Sequence, residues 1–440
     1  MKNILKFGSI SLGLGLMLTT LGQAQQANSQ GAPSGAPLSF KVPPHASSAI
    51  SFSIAPNAQC SVAPATDSSS AKAFTVYAND EGTVTFYATP SQESSAVQLV
   101  ATCSSGNRQT IEIQPVAGAK PLVPRDSSNA ETDLRFGHTV RPALTGDPMA
   151  LSSQELVKRG YPSRPDPKRA PGAYASWLRA VSKPATFIPP KTVNVEGRHH
   201  APAKVGNDPG GSANWSGYAL SGLGVSSPFD RVVGLWNVPG LVSGENWTTT
   251  YSSFWIGLDG WDSGDVVQDG TTQDETVWNG IAYKTYYPWK EIWPQEYEQE
   301  LSNFGVSPGD QIYSEVAMVD SNGNLTPWGG YGSFWFEDLT TGQYTHLSTQ
   351  FNSGTYYGVN AEWIMERPII SGGYPDLSDY WFAVMQDPYA GTWDGNYTGY
   401  LGPGEGDVSY QLTMYNGNDA LSTVYPINSD EMEFIWLNYR

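Results

Sequence analysis

Short apolar and alternating runs, separated by Gly, Asn and Asp turns, recur along most of this 440-residue chain. From residue 206 onward the apolar positions repeat with a period of two, which is typical of strands with one buried face. Such runs cover residues 311–319, 333–339, 343–347, 380–385, 408–415 and 433–438. No convincing helical period occurs there. The pattern predicts an all-β domain over residues 206–440, built as a sandwich or barrel of many short strands.

A second β-patterned region lies near the N-terminus. Its runs cover residues 49–54, 73–77, 83–87, 97–101 and 110–113. Cys60 and Cys103, the only two cysteines of the chain, both lie within it. In an oxidising compartment two such cysteines form a disulfide. We therefore predict a small all-β domain over residues 25–120, held by one disulfide between Cys60 and Cys103.

Residues 1–24 have the pattern of a secretory signal peptide. Lys2 and Lys6 give a positive start, and a mainly apolar run follows from Phe7 to Leu21. The run is too short and too rich in Gly, Ser and Thr for a membrane-spanning helix. We expect a secreted protein, periplasmic only in transit, with no membrane association.

Residues 121–205 differ from both flanking regions because they are Pro-rich and basic. Residues 152–159 and 173–181 are two short helical candidates, the second with Pro171 near its start. Arg198, His199 and His200 lie close to the end of this stretch, where we expect them to be exposed. The composition is typical of a linker or a pro-segment.

The charge of the chain is divided at about residue 206. Nineteen basic and twelve acidic residues precede it, and five basic and thirty acidic residues follow, so the net charges are +7 and −25. An acidic domain repels nucleic acid, so we expect no such partner. It could attract the basic segment of its own chain. A merely soluble acidic surface is the alternative reading.

The residues after position 206 exclude several catalytic chemistries. No cysteine follows Cys103, and the only histidine is His346, which we expect to be a solvated strand residue rather than part of a Ser-His-Asp triad. No cluster of zinc ligands and no Gly-rich phosphate loop occur. We therefore expect no metal and no cofactor, and carboxylates and amides remain as candidates.

One candidate lies in residues 254–270. Phe254 to Leu258 reads as a buried strand, stopped by the turn signal Asp259-Gly260. Val266-Val267 then brings the chain back and presents Gln268 just before a second Asp-Gly pair. The pattern predicts that Gln268 lies at the end of a short strand.

Another candidate is the strand from residue 361 to 365, because a glutamate lies inside its apolar run. Alternation places Glu362, Ile364 and Glu366 on one face, with Trp363 and Met365 on the other. A carboxylate in this position is costly unless it is hydrogen-bonded or functional. A glutamate at an exposed strand edge is the alternative.

Two further acidic motifs indicate other enzyme classes. Asp262-Ser263-Gly264 matches the short signature of pepsin-like aspartic peptidases, but those enzymes need two copies and the chain has one. Glu296, Glu298 and Glu300 would share one strand face, as the acid and nucleophile of some retaining glycosidases do. The flanking Pro294 favours a solvated acidic loop instead.

Seven short motifs, taken in order, resemble the glutamic peptidases, or eqolisins, over roughly residues 206–440. They are Asn214-Trp-Ser-Gly-Tyr218, Gly234-Leu-Trp-Asn-Val-Pro239, Trp255-Ile-Gly-Leu-Asp-Gly260, Gln268-Asp-Gly270, Trp289-Lys-Glu-Ile-Trp-Pro294, Val306-Ser-Pro-Gly-Asp310 and Ala361-Glu-Trp-Ile-Met-Glu366. The sequence departs from the fungal members in having Gln-Asp-Gly rather than Gln-Thr-Gly, in lacking cysteines in this region, and in carrying the front β-domain.

The resemblance implies a lectin-like sandwich of two antiparallel sheets and a secreted, monomeric acid endopeptidase that is insensitive to pepstatin and cleaves proteins or peptides. It implies that Gln268 and Glu362 form the catalytic pair. It also implies that residues 121–205 are a pro-segment that inhibits the enzyme within the same chain. The supporting residues near the cleft would be Trp215, Trp255, Asp259, Trp289, Glu291 and Glu366.

A glutamine and a glutamate suit amide hydrolysis in acid. Imidazole is protonated below about pH 6, whereas a carboxyl group with a pKa near 4 is still partly ionised there. Glu362 could therefore remove a proton from water and return one to the leaving nitrogen, while Gln268 donates to the oxyanion. A carbohydrate-active or carbohydrate-binding sandwich is the main alternative, and a non-enzymatic adhesion protein is another.

Overall fold

The structure, a computed structural model, describes residues 37–440 except 57, 66–72, 80–81, 92–93, 123–138, 141–146, 206–208, 222–226, 352–355, 396 and 402–407. The predicted signal peptide, residues 1–24, lies outside the described residues. Among those described, no helix is long and apolar enough to cross a membrane.

The described residues of the front region form seven strands, and Cys60 is bonded to Cys103 as predicted. Five strands form one sheet in the order β1-β7-β6-β3-β4, and β2 pairs with β5 in a separate ladder. The strands are β1 Leu38–Val42, β2 Ser48–Ser53, β3 Gln59–Pro64, β4 Phe74–Tyr77, β5 Thr83–Pro90, β6 Val97–Cys103 and β7 Arg108–Pro115. Strand β5 also pairs with β17 of the following domain.

The basic connector carries the two helices, both of which the sequence predicts. Ser152 caps the first helix by accepting from the backbone N–H of Glu155, and Pro171 opens the second. Its elements are β8 Thr139–Val140, a 3₁₀ turn Pro148–Ala150, α1 Ser153–Lys158, α2 Pro171–Ser182, β9 Thr186–Phe187, β10 Thr192–Asn194 and β11 Arg198–His199.

The remaining strands build the predicted sandwich. They are β12 Gly211–Ser212, β13 Trp215–Ser221, β14 Phe229–Asn237, β15 Thr248–Asp259, β16 Val266–Trp278, β17 Ile281–Trp293, β18 Gln299–Leu301, β19 Gln311–Val319, β20 Tyr331–Asp338, β21 Gln343–Gln350, β22 Asn360–Glu366, β23 Ile369–Ile370, β24 Asp376–Leu377, β25 Phe382–Thr392, β26 Tyr397–Gly399, β27 Val408–Asn416, β28 Asp419–Asn428 and β29 Glu431–Trp436.

Two antiparallel layers follow from the pairing of these strands. The first, here called the groove sheet, has the order β18-β17-β16-β15-β22-β13-β27. The second, the back sheet, has the order β21-β20-β19-β14-β25-β29-β28. Strand β27 pairs with β28 and so joins the layers along one side. The all-β sandwich prediction is confirmed.

The main apolar core lies between the two sheets. It contains Trp236, Phe254, Ile256, Trp363 and Met365, all fully buried. Trp363 and Met365 therefore point inward, as the alternation of β22 predicts, and Glu362 and Glu366 belong to the outer face of the groove sheet. The outer face of the back sheet is covered by α1 and α2 of the connector.

Strands β15 and β16 correct the predicted hairpin. They have twelve and thirteen residues and pair along their whole length from Thr248 to Asp259. Asp269-Gly270 is therefore no turn, and Gln268 is the third residue of a long strand. The connecting loop is residues 260–265. His346 also differs from the prediction, because it is buried on β21 and hydrogen-bonded to the Ser333 hydroxyl at 2.9 Å.

Candidate active site

Four strands of the groove sheet place three polar side chains in one row. Gly257 on β15 lies directly opposite Gln268 on β16 and Glu362 on β22, and Gln268 lies opposite Glu291 on β17. Residues opposite each other in antiparallel strands have side chains on the same face. Since adjacent strands are about 4.8 Å apart, the backbones of Gln268 and Glu362 are roughly 10 Å apart. The sheet therefore brings the predicted pair to one face.

The amide of Gln268 is oriented by its neighbour in the row. Its Nε2 donates to Oε2 of Glu291 at 2.6 Å and to the backbone carbonyl of His200 at 3.3 Å. Among the described residues its Oε1 has no hydrogen-bond partner. Glu291 thus holds the Nε2 donor in a position where it already meets a peptide carbonyl.

Glu362 is fully buried beneath the turn that follows β15. Its Oε1 accepts from the backbone N–H of Trp261 at 2.6 Å, while Oε2 has no partner among the described residues. Gly260 has φ +117°, and a Cβ there would lie 2.6 Å from Oε2, so this turn requires glycine. Burial, followed by the negative charge of Asp259, raises the pKa of Glu362 well above its usual value. The expectation of a pKa near 4 is therefore wrong for Glu362 in this structure.

Asp259 shapes the same turn rather than entering the groove. Its carboxylate accepts three backbone N–H groups, from Tyr357 at 2.9 Å, Gly358 at 3.0 Å and Val359 at 2.6 Å. Burial raises its pKa to about 7 despite these donors. Asp259 therefore fixes the loop before β22, the strand that carries Glu362.

Glu366 is held by several donors. Its Oε2 accepts from Trp255 Nε1 at 2.8 Å and lies 2.9 Å from His200 Nδ1, and its Oε1 accepts from Asn214 Nδ2 at 2.8 Å. Glu362, in contrast, keeps one oxygen unpaired among the described residues. The two glutamates share a face, as the sequence predicts, but their surroundings differ.

Buried tryptophans form the apolar part of this face. Trp255, Trp289 and Trp215 are fully buried in one cluster, and the rings of Trp215 and Trp255 meet edge to face with centroids 4.9 Å apart. The ring of Trp255 lies over Gly257, where a Cβ would meet it at 2.9 Å. All six supporting residues named from the sequence therefore lie around the row, five on this face and Asp259 beneath the turn.

Residues 191–205 of the connector, here called the strap, lie across the groove. Arg198 is buried, with its guanidinium 2.6 Å from Asp274 Oδ2 and 3.0 Å from Glu298 Oε2. It also donates to the hydroxyls of Ser253 and Thr272. The expectation that Arg198 and its neighbours are exposed is wrong, because buried carboxylates replace the water around this cation.

His200 occupies the centre of the groove. Its ring stacks on Trp289 with centroids 4.0 Å apart, its Nε2 lies 2.6 Å from Glu298 and its Nδ1 2.9 Å from Glu366. Burial alone would lower its pKa, but the charge of Glu366 and the hydrogen bonds to both carboxylates raise it to about 10. Both ring nitrogens therefore carry protons, and His200 is a buried cation.

Glu298 and Glu300 also differ from prediction, because they are buried rather than part of a solvated loop. Burial alone would raise the pKa of Glu298, but the charge of Arg198 and the contacts with His200 lower it. Tyr287 donates a further hydrogen bond to Glu298 at 2.8 Å. Glu296 contacts Lys290 instead. Sequence reasoning missed Asp274 and placed Arg198, His200 and Glu298 in solvent, and the opposite charges of connector and domain were the only signal that these residues meet.

The described part of the chain contains no group of three or more His, Cys, Asp or Glu residues suited to a metal ion. The polar groups of the groove include carboxylates, side-chain amides, hydroxyls and the cations of the strap. This arrangement offers a neutral donor at Gln268 and a carboxyl group at Glu362, facing a segment of extended chain.

Comparison with known proteins locates the family match in this domain. Residues 213–431 match the model of the peptidase A4 family. No curated protein matches significantly. Scytalido-glutamic peptidase, solved with a transition state analog inhibitor, is 23% identical with a TM-score of 0.40, covering 51% of this chain and 98% of that one. SCP-B, an eqolisin solved with the tripeptide Ala-Ile-His, is 19% identical with a TM-score of 0.37 and the same coverage.

Proposed function

Since residues 213–431 of this chain belong to the peptidase A4 family, the eqolisins, the protein is a glutamic-type peptide-bond hydrolase, and we propose that Gln268 and Glu362 are its catalytic pair. One observation carries this proposal. The Nε2 of Gln268 already donates to a peptide carbonyl, that of His200, in the row that also contains Glu362. The family match favours this reading over the carbohydrate-binding alternative.

In this mechanism the substrate carbonyl takes the place that the His200 carbonyl occupies in the covered groove. Gln268 Nε2 donates to the carbonyl oxygen as negative charge develops on it. Glu362, in its ionised form, removes a proton from the attacking water and later returns one to the leaving nitrogen. Glu291 is a positioning residue, because it fixes which end of the Gln268 amide faces the carbonyl.

We also propose that the strap inhibits the enzyme within its own chain. It fills the position in front of Gln268 and brings the positive charge of Lys204 near Glu362, whose carboxyl group lies beneath the Gly260 turn with its pKa raised by burial. A neutral carboxyl group cannot act as a base. Removal of the strap would free Gln268 Nε2 for a substrate carbonyl and let water approach the row that contains Glu362. We also propose that residues 1–24 direct export of the protein and that the enzyme acts in acidic surroundings.

The test is digestion of a denatured protein near pH 4, with pepstatin present, by enzyme from which the strap has been removed. We expect Gln268→Ala to lower the rate by about 10²–10³-fold. Glu362→Gln should lower it by at least about 10²-fold, as expected for the loss of a general base. Both effects should appear in kcat as well as in kcat/KM.

Gln273→Ala is the matched control. Gln273 is an equally buried glutamine on the same strand, but its odd position places its side chain on the opposite face, where it bonds Thr271. This variant should lose stability without losing the catalytic pair. Equal turnover by Gln268→Ala and Gln273→Ala would refute the assignment of Gln268.

A further inference from the structure

The strap presents one of its own peptide bonds to Gln268, the proposed oxyanion donor, in the row that also contains Glu362. The N–H of His200 donates to Glu291 Oε2 at 3.0 Å, and the carbonyl of His200 accepts from Gln268 Nε2 at 3.3 Å. Both backbone groups of one residue are therefore bound by adjacent members of the polar row. The peptide bond that follows this carbonyl joins His200 to Ala201.

The chain is held on both sides of this bond. Before it, β11 pairs antiparallel with β23, with Arg198 opposite Ile370. After it, the carbonyl of Ala201 accepts from Asn214 Nδ2 at 2.8 Å, and the carbonyl of Ala203 accepts from the N–H of Ala213 at 2.7 Å. Backbone hydrogen bonding of this kind is how extended peptides bind to proteins.

Side chains hold the same register. Arg198 and His200, two residues apart, enter acidic pockets made by Asp274, Glu298 and Glu366, whereas the intervening His199 stacks on Trp293 with ring centroids 3.9 Å apart. A shift of the strap by one residue would exchange these environments and leave buried carboxylates without cations. Alternation thus fixes His200 in front of Gln268.

We propose that the precursor cleaves its own chain at the His200–Ala201 bond. The inference rests on the proposed function. Water adds across the bond: its oxygen joins the carbonyl carbon of His200, the C–N bond breaks, and the nitrogen of Ala201 leaves as an amine. Glu362 accepts one proton from the water and delivers one to that nitrogen, so no other reactant is needed.

The resting structure also accounts for the survival of the bond. Glu362 is fully buried beneath the Gly260 turn, and burial raises its pKa, so it is a poor base until this end of the groove opens to water. Once the bond is cut, His200 ends in a carboxylate beside Glu291 and Gln268.

The experiment follows purified full-length precursor incubated at pH 4, with intact mass measurement and N-terminal sequencing of the earliest fragments. We expect one fragment ending at His200 and another beginning at Ala201, formed with a first-order rate constant that does not change with protein concentration. Glu362→Gln precursor should give neither fragment. His200→Gln should slow the cut by at least about tenfold, the cost of one lost charged contact of about 1.4 kcal/mol, whereas the control His45→Gln, at an exposed histidine of the front domain, should process normally.

The outcomes separate this inference from the proposed function. Earliest fragments that begin elsewhere, from a preparation that does digest denatured protein, would overturn the inference and leave the proposed function intact. A rate constant proportional to concentration would also overturn it, because the cut would then occur between molecules. Failure of wild type to cleave either itself or, after removal of the strap, a denatured protein would refute the proposed function.

Discussion

The buried carboxylate of Glu298 is the shared partner of both strap cations, so its neutral replacement gives a sharp test of how the groove is closed. Glu298→Gln keeps the shape of the side chain but removes the charge that faces Arg198 at 3.0 Å and His200 at 2.6 Å. Removing one partner of a buried ion pair costs about 3–5 kcal/mol. Arg198 keeps Asp274 and His200 keeps Glu366, so the lower end, about 3 kcal/mol, applies.

At about 1.4 kcal/mol per factor of ten, this loss raises the population of strap-free molecules by about 10²-fold. Hydrogen exchange of peptides from residues 191–205 measures that population directly, because local opening sets the exchange rate of protected amides. The measurement is made in a Glu362→Gln background near pH 6, where no self-cleavage is expected. Peptides from α2 serve as an internal reference and should not change.

Glu300→Gln is the control for this prediction. Glu300 is buried two residues further along the chain, on β18, and its Oε2 has no partner in the described part of the protein. Burial raises its pKa well above the usual value, and Arg198 and His200 pair with Asp274, Glu298 and Glu366 instead. If the amides of the strap exchange as slowly in Glu298→Gln as in Glu300→Gln, ion pairs do not hold the strap in the groove and the prediction is refuted.

Two further predictions concern pH and the connector helices. Burial raises the pKa of Asp259 and Glu315 to about 7 and of Glu337 to about 8, so the folded state binds these protons more tightly than the unfolded chain. Stability should therefore rise as pH falls from about 8 to about 4.5, and Tm at pH 5 should exceed Tm at pH 7. A Tm that falls as the pH is lowered from 7 to 5 would contradict this reasoning. So would a Glu337→Gln variant whose Tm rises as much as that of the wild type over the same range. Trp177→Ala removes a fully buried side chain from α2 and should lower the free energy of unfolding by about 3–5 kcal/mol in denaturant titration, whereas Arg179→Ala on the exposed side should cost under about 1 kcal/mol. A Trp177→Ala loss below about 1 kcal/mol would show that α2 is not part of the folded core.

The strands were predictable from alternation, but the lengths of two of them were not. Thr248 to Ser253 and Asp269 to Asp274 are polar, so the pattern ends each predicted strand where the real strand continues. Those polar residues include Ser253 and Asp274, which bind Arg198. The sequence signal failed at the candidate site itself, because groove-lining positions of a strand lack the apolar side chains that mark a strand.

The partners of the charged residues were also beyond the reach of the sequence. Gln268 and Glu362 could be selected because they lie in motifs, and the same face was predictable for Glu362 and Glu366. Arg198 and His200 read as solvated because local sequence cannot show that Glu298 and Glu366, about a hundred residues or more away, surround them. The net charges of +7 and −25 indicated attraction between the two regions but not which residues meet.

The pairing of β5 with β17 gives the front domain a role that its lack of recognisable chemistry conceals. Strand β17 runs for thirteen residues on the far side of β16, with β18 covering only Trp289 and Lys290, and β5 shields residues 281–284. Phe74 of β4 stacks on Tyr283 of β17 with ring centroids 5.4 Å apart, and the Phe74 centroid lies 5.2 Å from that of Phe86 on β5. An unpaired margin of this kind invites pairing with another chain. We therefore expect that a peptidase produced without its first 120 residues aggregates through this strand edge, even where its turnover is intact.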